Sequence, residues 1–97
     1  MIRVQEQDFD VGLELSRMTE NNHEVGAQSV FVGLVRDMAN KEKISSMTLE
    51  HYPGMTEKQL AAIEKEAYKR WPLNDILIIH RFGRLEPGDR IVLVATT

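Results

Sequence analysis

Three short runs of aliphatic, mostly β-branched residues constrain this chain more than any other feature. They lie within Ala27 to Arg36 (Val30, Phe31, Val32, Leu34 and Val35), at Ile76 to Ile79, and at Ile91 to Ala95. Each is too short to be a helix buried on all sides, and none approaches the roughly 18 apolar residues of a membrane span. Their composition predicts strands. The first looks covered on both faces. Two segments with helical spacing separate these runs. Val11, Leu15 and Met18 fall at i, i+4 and i+7 behind Asp10, a good N-cap, and predict a helix to about Glu20. Asn21-Asn22 ends it, because Asn tolerates the left-handed conformation. Leu60, Ile63, Ala67 and Trp71 form a second stripe, with a capping box at Thr56 and Gln59 and a stop at Pro72.

Weaker signals fill in the order. Ile2 to Gln5 alternates and predicts a strand. Ile44 to Tyr52 predicts another, with Met47, Leu49 and His51 on one face. Pro53-Gly54 marks a turn, and the Ile76 strand runs on to about Phe82. Glu86-Pro87-Gly88-Asp89 has Pro and Gly where a type II turn needs them. Gly33, inside an apolar strand, predicts a bulge or a close approach by a ligand or another backbone. Asp37 to Lys43 is polar and aperiodic and reads as an exposed, mobile loop. The order is β-α-β-β-α-β-β, an α+β two-layer fold. Pattern alone favours ferredoxin-like topology. Thr96-Thr97 follow directly on Ile91 to Ala95. That predicts a further element or a partner over this apolar strand.

Ninety-seven residues allow one domain, 1–97. No cysteine is present, so thiolate metal sites, disulfides and a cysteine nucleophile are excluded within the chain. The N-terminus lacks the apolar core of a secretory signal, and a cytoplasmic protein is expected. Twelve basic against fifteen acidic residues leave a net charge of −3, which argues against nucleic acid as a partner. Nothing points to a membrane or a bound cofactor. His80, Arg81, Arg84 and Arg90 gather near one predicted turn. They read as a local anion site or as a solvated hairpin face.

The inventory for catalysis is thin. No nucleophile elbow, phosphate loop or dinucleotide fingerprint occurs. His23, His51 and His80 lack metal-ligand spacing, so no metal is expected. Glu50-His51 are strand neighbours and point to opposite faces. Arg36 stands out: it ends an apolar strand where a polar segment begins. A guanidinium there suits a phosphate or carboxylate, or simply ends the strand in water beside Asp37.

Four ordered motifs carry a resemblance. They are Thr48-Leu49-Glu50-His51-Tyr52-Pro53-Gly54-Met55-Thr56-Glu57-Lys58; Gly26-Ala27 leading into Phe31-Val32-Gly33-Leu34-Val35-Arg36; Arg70-Trp71-Pro72-Leu73; and Ile79-His80-Arg81-Phe82-Gly83 with Pro87-Gly88-Asp89. Together they span nearly the whole chain, which resembles the large, catalytic subunit of molybdopterin synthase. The resemblance implies an α/β hammerhead fold in place of the ferredoxin-like one. It implies conversion of cyclic pyranopterin monophosphate to molybdopterin. The sulfur would come from a thiocarboxylate on a small, ubiquitin-like carrier subunit whose tail enters a pocket. It implies a homodimer of large subunits with one small subunit on each. By position it implies a substrate-binding segment at Leu34, Val35 and Arg36, with Phe31 lining the pocket. Members of the family continue past the position of Thr97, and their catalytic lysines lie there. The chain therefore corresponds to the N-terminal and central part of the family domain. Lys41, Lys43, Lys58, Lys65 and Lys69 do not match those lysines, so no catalytic residue is assigned and this polypeptide alone is expected to be inactive.

Overall fold

The apolar runs pair with one another and build the centre of a mixed sheet. The computed structural model describes residues 1–39, 42–43, 47–50 and 52–97. Its elements are β1 (Ile2–Gln5), α1 (Val11–Thr19), β2 (Ser29–Leu34), β3 (Met38–Ala39), β4 (Glu42–Lys43), β5 (Met47–Leu49), α2 (Met55–Arg70), β6 (Ile76–Arg81), β7 (Gly83–Leu85) and β8 (Arg90–Thr96). The main sheet has the order β1-β6-β8-β2. β1 runs parallel to β6, and the other pairings are antiparallel. A split β-α-β of ferredoxin-like type would put one strand between β1 and β2. Here two intervene, so the α+β class holds and the ferredoxin-like order does not.

Side-chain alternation places the core. Leu77 and Ile79 of β6 and Leu93 and Ala95 of β8 face α1, with Phe9 beside them. Val11, Leu15 and Met18, the predicted stripe, pack against this cluster. Ile76 and Ile78 are buried too, so β6 is covered on both faces. The apolar strand Ile91 to Ala95 needs no outside partner to cover its core-facing residues. It lies between β6 and β2, with Leu93 and Ala95 wholly buried. β2 departs from expectation in the other direction. It is an edge strand, and Val30, Phe31 and Leu34 are exposed. An aliphatic run codes for a strand but not for its place in the sheet, which depends on distant partners.

Local chemistry sets the helix ends. The Asp10 carboxylate accepts from the Leu13 N–H at 3.0 Å, as an N-cap should. Asn21 follows α1 with φ of 56°. α2 is capped differently from the predicted Thr56/Gln59 box. It begins two residues earlier, with Gly54 at the N-cap, and the Glu57 carboxylate reaches back to the Gly54 N–H at 2.9 Å. Its apolar stripe is also less covered than predicted: Ile63 and Trp71 are 61% and 55% exposed, and no residue of α2 is fully buried. The helix leans mainly on the edge strand β1, which is too narrow to cover a full stripe.

The segment predicted as a loop at Asp37 to Lys43 contains β3 and β4, paired as Met38 with Lys43 and Ala39 with Glu42. So short a ladder leaves no periodicity to read. Asn40 and Lys41 within it lie outside the described residues, as do Ile44, Ser45, Ser46 and His51 of the predicted Ile44 to Tyr52 strand. What is described of that strand, β5, pairs with β7 instead of joining the main sheet.

Candidate functional site

The end of β2 is where the predicted site residues lie, and its geometry starts at Gly33. A Cβ on Gly33 would stand 2.7 Å from Val92 Cγ1, so glycine lets β8 approach here. The close protein neighbour is a side chain and not another backbone. The register with β8 shifts between Gly33 and Leu34, which is the expected bulge. Beyond it, Val35 turns inward and is buried, while Leu34 and Arg36 face solvent.

Val35 is tied to the Glu86–Asp89 turn by a reciprocal backbone pair. Its N–H donates to the Asp89 carbonyl at 2.9 Å, and its carbonyl accepts from the Gly88 N–H at 2.8 Å. The turn closes itself through Asp89 N–H to the Glu86 carbonyl, 2.9 Å, and Glu86 N–H to the Asp89 carboxylate, 2.8 Å. Gly88 has φ of 92°, the left-handed value that a type II turn assigns to glycine. The predicted turn is therefore present, and it serves as the abutment of the strand that carries Arg36.

Phe31 is 62% exposed and lines a shallow hollow with Ser29, Val30, Val94 and Thr96. Five residue steps, about 16 Å of extended chain, separate it from Arg36, two positions past the end of β2. The chain thus presents an aromatic surface at one end of β2 and a guanidinium at the other.

The four residues once grouped as an anion site do not converge. Arg81 Nε donates to the Glu6 carbonyl and its Nη1 to the Arg90 carbonyl, both at 2.9 Å. Arg90 Nη1 donates to Asp8 Oδ2 at 3.0 Å and to the Phe9 carbonyl at 3.2 Å. These two arginines brace the segment before α1 against β6 and β8. Arg84 is exposed on β7, opposite Thr48. His80 lies on β6, with a buried Nδ1 that finds no hydrogen-bond partner among the described residues. Glu50 accepts a hydrogen bond from the Tyr52 hydroxyl, and His51, considered with it, lies outside the described residues. Among the described residues no cluster of His, Asp or Glu is arranged to hold a metal, and no helix is long and apolar enough to cross a membrane.

The brace has a pH signature. Burial pushes the Asp8 carboxyl up, but the Phe9 N–H, the Arg90 guanidinium and the Arg81 charge outweigh it and hold it below the ordinary aspartate value. Its ionised form therefore favours the folded chain. That contribution is complete above the unfolded value of about 3.9 and is lost as pH falls through the folded one. Asp8 is half exposed, so the effect is small. Asp8→Asn is expected to flatten the fall in melting temperature between about pH 5 and pH 3. An unchanged slope would assign the acid sensitivity to other carboxylates.

Fold and strand-end geometry define the chain as an α+β domain that presents an arginine on a clamped sheet edge. The family model described as "MoaE protein" matches residues 4–97, and the chain belongs to that family. The molybdopterin synthase catalytic subunit of Ralstonia nicotianae is 53% identical over 94 residues, which are 97% of this chain and 53% of that protein. The solved molybdopterin biosynthesis MoaE protein of Burkholderia ambifaria superposes with a TM-score of 0.88 at 50% identity, over 99% of this chain and 62% of that one. The fold extends to a protein–protein complex of subunits 1 and 2 of the molybdopterin-converting factor from Helicobacter pylori. There the TM-score is 0.75 at 20% identity, over 98% of this chain and 63% of that one. The chain thus spans little more than half the length of the first of these relatives.

Proposed function

We propose that this chain forms the binding part of a cytoplasmic molybdopterin synthase catalytic subunit. In this reading Leu34, Val35 and Arg36 meet the substrate side of the reaction, cyclic pyranopterin monophosphate or the thiocarboxylate tail of a small sulfur-carrier subunit. Phe31 offers an apolar contact to the same partners. The carrying observation is Arg36 itself, an exposed guanidinium on a strand end whose preceding residue is buried and bonded on both sides. Phosphate and carboxylate both fit its planar fork. The H. pylori factor is a two-subunit complex, which supports a small-subunit partner here. None of the lysines in the 97 residues matches a catalytic one of the family, so the polypeptide alone binds without turning over.

Calorimetry with a small subunit that ends in a free carboxylate tests this reading. Arg36→Ala is expected to weaken binding by about 1.5–3 kcal/mol, the scale of a hydrogen bond to a charged group. Arg36→Lys restores only part, since a point charge lacks the fork. Melting temperature should hardly move, because Arg36 is exposed. Unchanged affinity in Arg36→Ala would make it an ordinary surface arginine. Mixing the chain with thiocarboxylated carrier and precursor should give no dithiolene product, and product at a full-length relative's rate would contradict the division of labour.

The same reading includes a homodimer. β2 leaves a sheet edge open, and Val30, Phe31 and Leu34 are exposed along it. Exposed apolar edges of this kind pair with other chains. Light scattering at micromolar concentration should report a dimer, and a monodisperse monomer would count against it.

A further inference from the structure

The peptide group between Val35 and Arg36 is held from outside its own strand. Its carbonyl, that of Val35, accepts the Gly88 N–H at 2.8 Å. A peptide unit is planar, so fixing that oxygen also fixes the direction of the Arg36 nitrogen and Cα. The bulge between Gly33 and Leu34 has already broken the regular register with β8. The local ladder therefore cannot aim Arg36 by itself, and the turn takes over that task. Beside its backbone bond from the Asp89 N–H to the Glu86 carbonyl, 2.9 Å, the turn is closed a second time by one side chain. The Asp89 carboxylate accepts the Glu86 N–H at 2.8 Å across the turn, while the Asp89 carbonyl accepts the Val35 N–H at 2.9 Å. Asp89 thus joins the closure of the turn to the strand end in a single residue.

We infer that Asp89 is a positioning residue for Arg36: its carboxylate holds the Glu86–Asp89 turn in the shape that aims the guanidinium at its anionic ligand. This rests on the reading of Arg36 as an anion-binding group. Asp89 touches no ligand in this scheme. It acts through the Gly88 and Val35 backbone, about 50 residues along the chain from the group it serves.

The test combines binding with amide hydrogen exchange on the 97-residue chain. The binding probe is the small carrier subunit with a free C-terminal carboxylate. Asp89→Ala removes the acceptor of the Glu86 N–H. Asp89→Asn keeps one, because the amide oxygen accepts the same bond. Asp89→Ala is expected to speed exchange at the Val35 and Gly88 amides and to raise Kd by about 3- to 10-fold, the scale of one lost hydrogen bond. Asp89→Asn should restore both. In an Arg36→Ala background, Asp89→Ala should add nothing to Kd, since the group it aims is gone. A merely structural Asp89 would raise Kd by the same factor in both backgrounds, which overturns the proposal. So does unchanged protection of Val35 and Gly88 in Asp89→Ala, whatever Arg36 does. If Arg36→Ala leaves Kd unchanged, the reading of Arg36 fails and the proposal falls with it. If Arg36→Ala raises Kd and Asp89→Ala does not, only the role of Asp89 falls.

Discussion

Leu93→Ala is expected to cost about 3–5 kcal/mol, the range for a fully buried leucine whose site cannot collapse. Leu93 is completely buried in β8, between Ile79 of β6 and Val32 of β2 in register. β6 is held in turn by its ladder with β1, and β2 is paired to β8 along Ser29–Leu34, so the backbone has little freedom to close over the cavity. A domain of this size is stable by about 5–15 kcal/mol, so the loss is about a fifth of the whole or more. The melting temperature should drop by more than about 12 °C. Ile63→Ala removes comparable apolar bulk from the exposed stripe of α2. It should stay within about 0.5 kcal/mol of the parent, as surface substitutions do. Urea unfolding of both variants, read at the midpoint with the slope unchanged, makes the comparison. Equal losses would mean that the α2 stripe is covered in solution.

The contrast between these two residues shows how far the sequence could be read. Ile63 and Leu93 both sit in apolar patterns, and periodicity treats them alike. What separates them is the strand order β1-β6-β8-β2, which is set by pairing between distant segments. Features governed by local chemistry were legible: the Asp10 cap, the left-handed Asn21 and the turn at Pro87-Gly88. The α2 cap was misread because two overlapping box patterns compete, and Glu57 wins by reaching the Gly54 N–H. At the candidate site, Arg36 was visible as the charge at the end of an apolar run. Its anchorage was not, because Val35 meets Gly88 and Asp89 only in the folded chain. Arg81 and Arg90 looked equally free in sequence and are used up by backbone carbonyls and Asp8.

Arg3→Met should destabilise the chain by about 2–4 kcal/mol, for a reason that periodicity passed over. Val11, Leu15 and Met18 define the buried stripe of α1, and Glu14, at i+3 from Val11, falls on the same stripe. Its carboxylate is almost wholly buried and accepts from the Arg3 guanidinium of β1, with Arg17 Nη1 at 4.0 Å as its other cation. Removing Arg3 leaves a buried carboxylate whose only cation among the described residues is that distant, exposed one. Breaking a fully buried pair from one side costs about 3–5 kcal/mol. The estimate here is lower because the Arg3 side chain is partly exposed. Methionine keeps the packing of the aliphatic stem, so the loss reports charge and hydrogen bonding. The double variant Arg3→Met with Glu14→Leu should recover most of the stability, since neither charge then has to leave water. It also removes the Arg3 Nε, a buried donor that has no partner among the described residues. Urea midpoints of the two single variants and the double complete the cycle. Simple addition of the two single losses would show that Arg3 and Glu14 stabilise the fold through separate contacts. Near-complete recovery would show that their pairing joins α1 to the sheet at the expense of stability that an apolar contact supplies equally well.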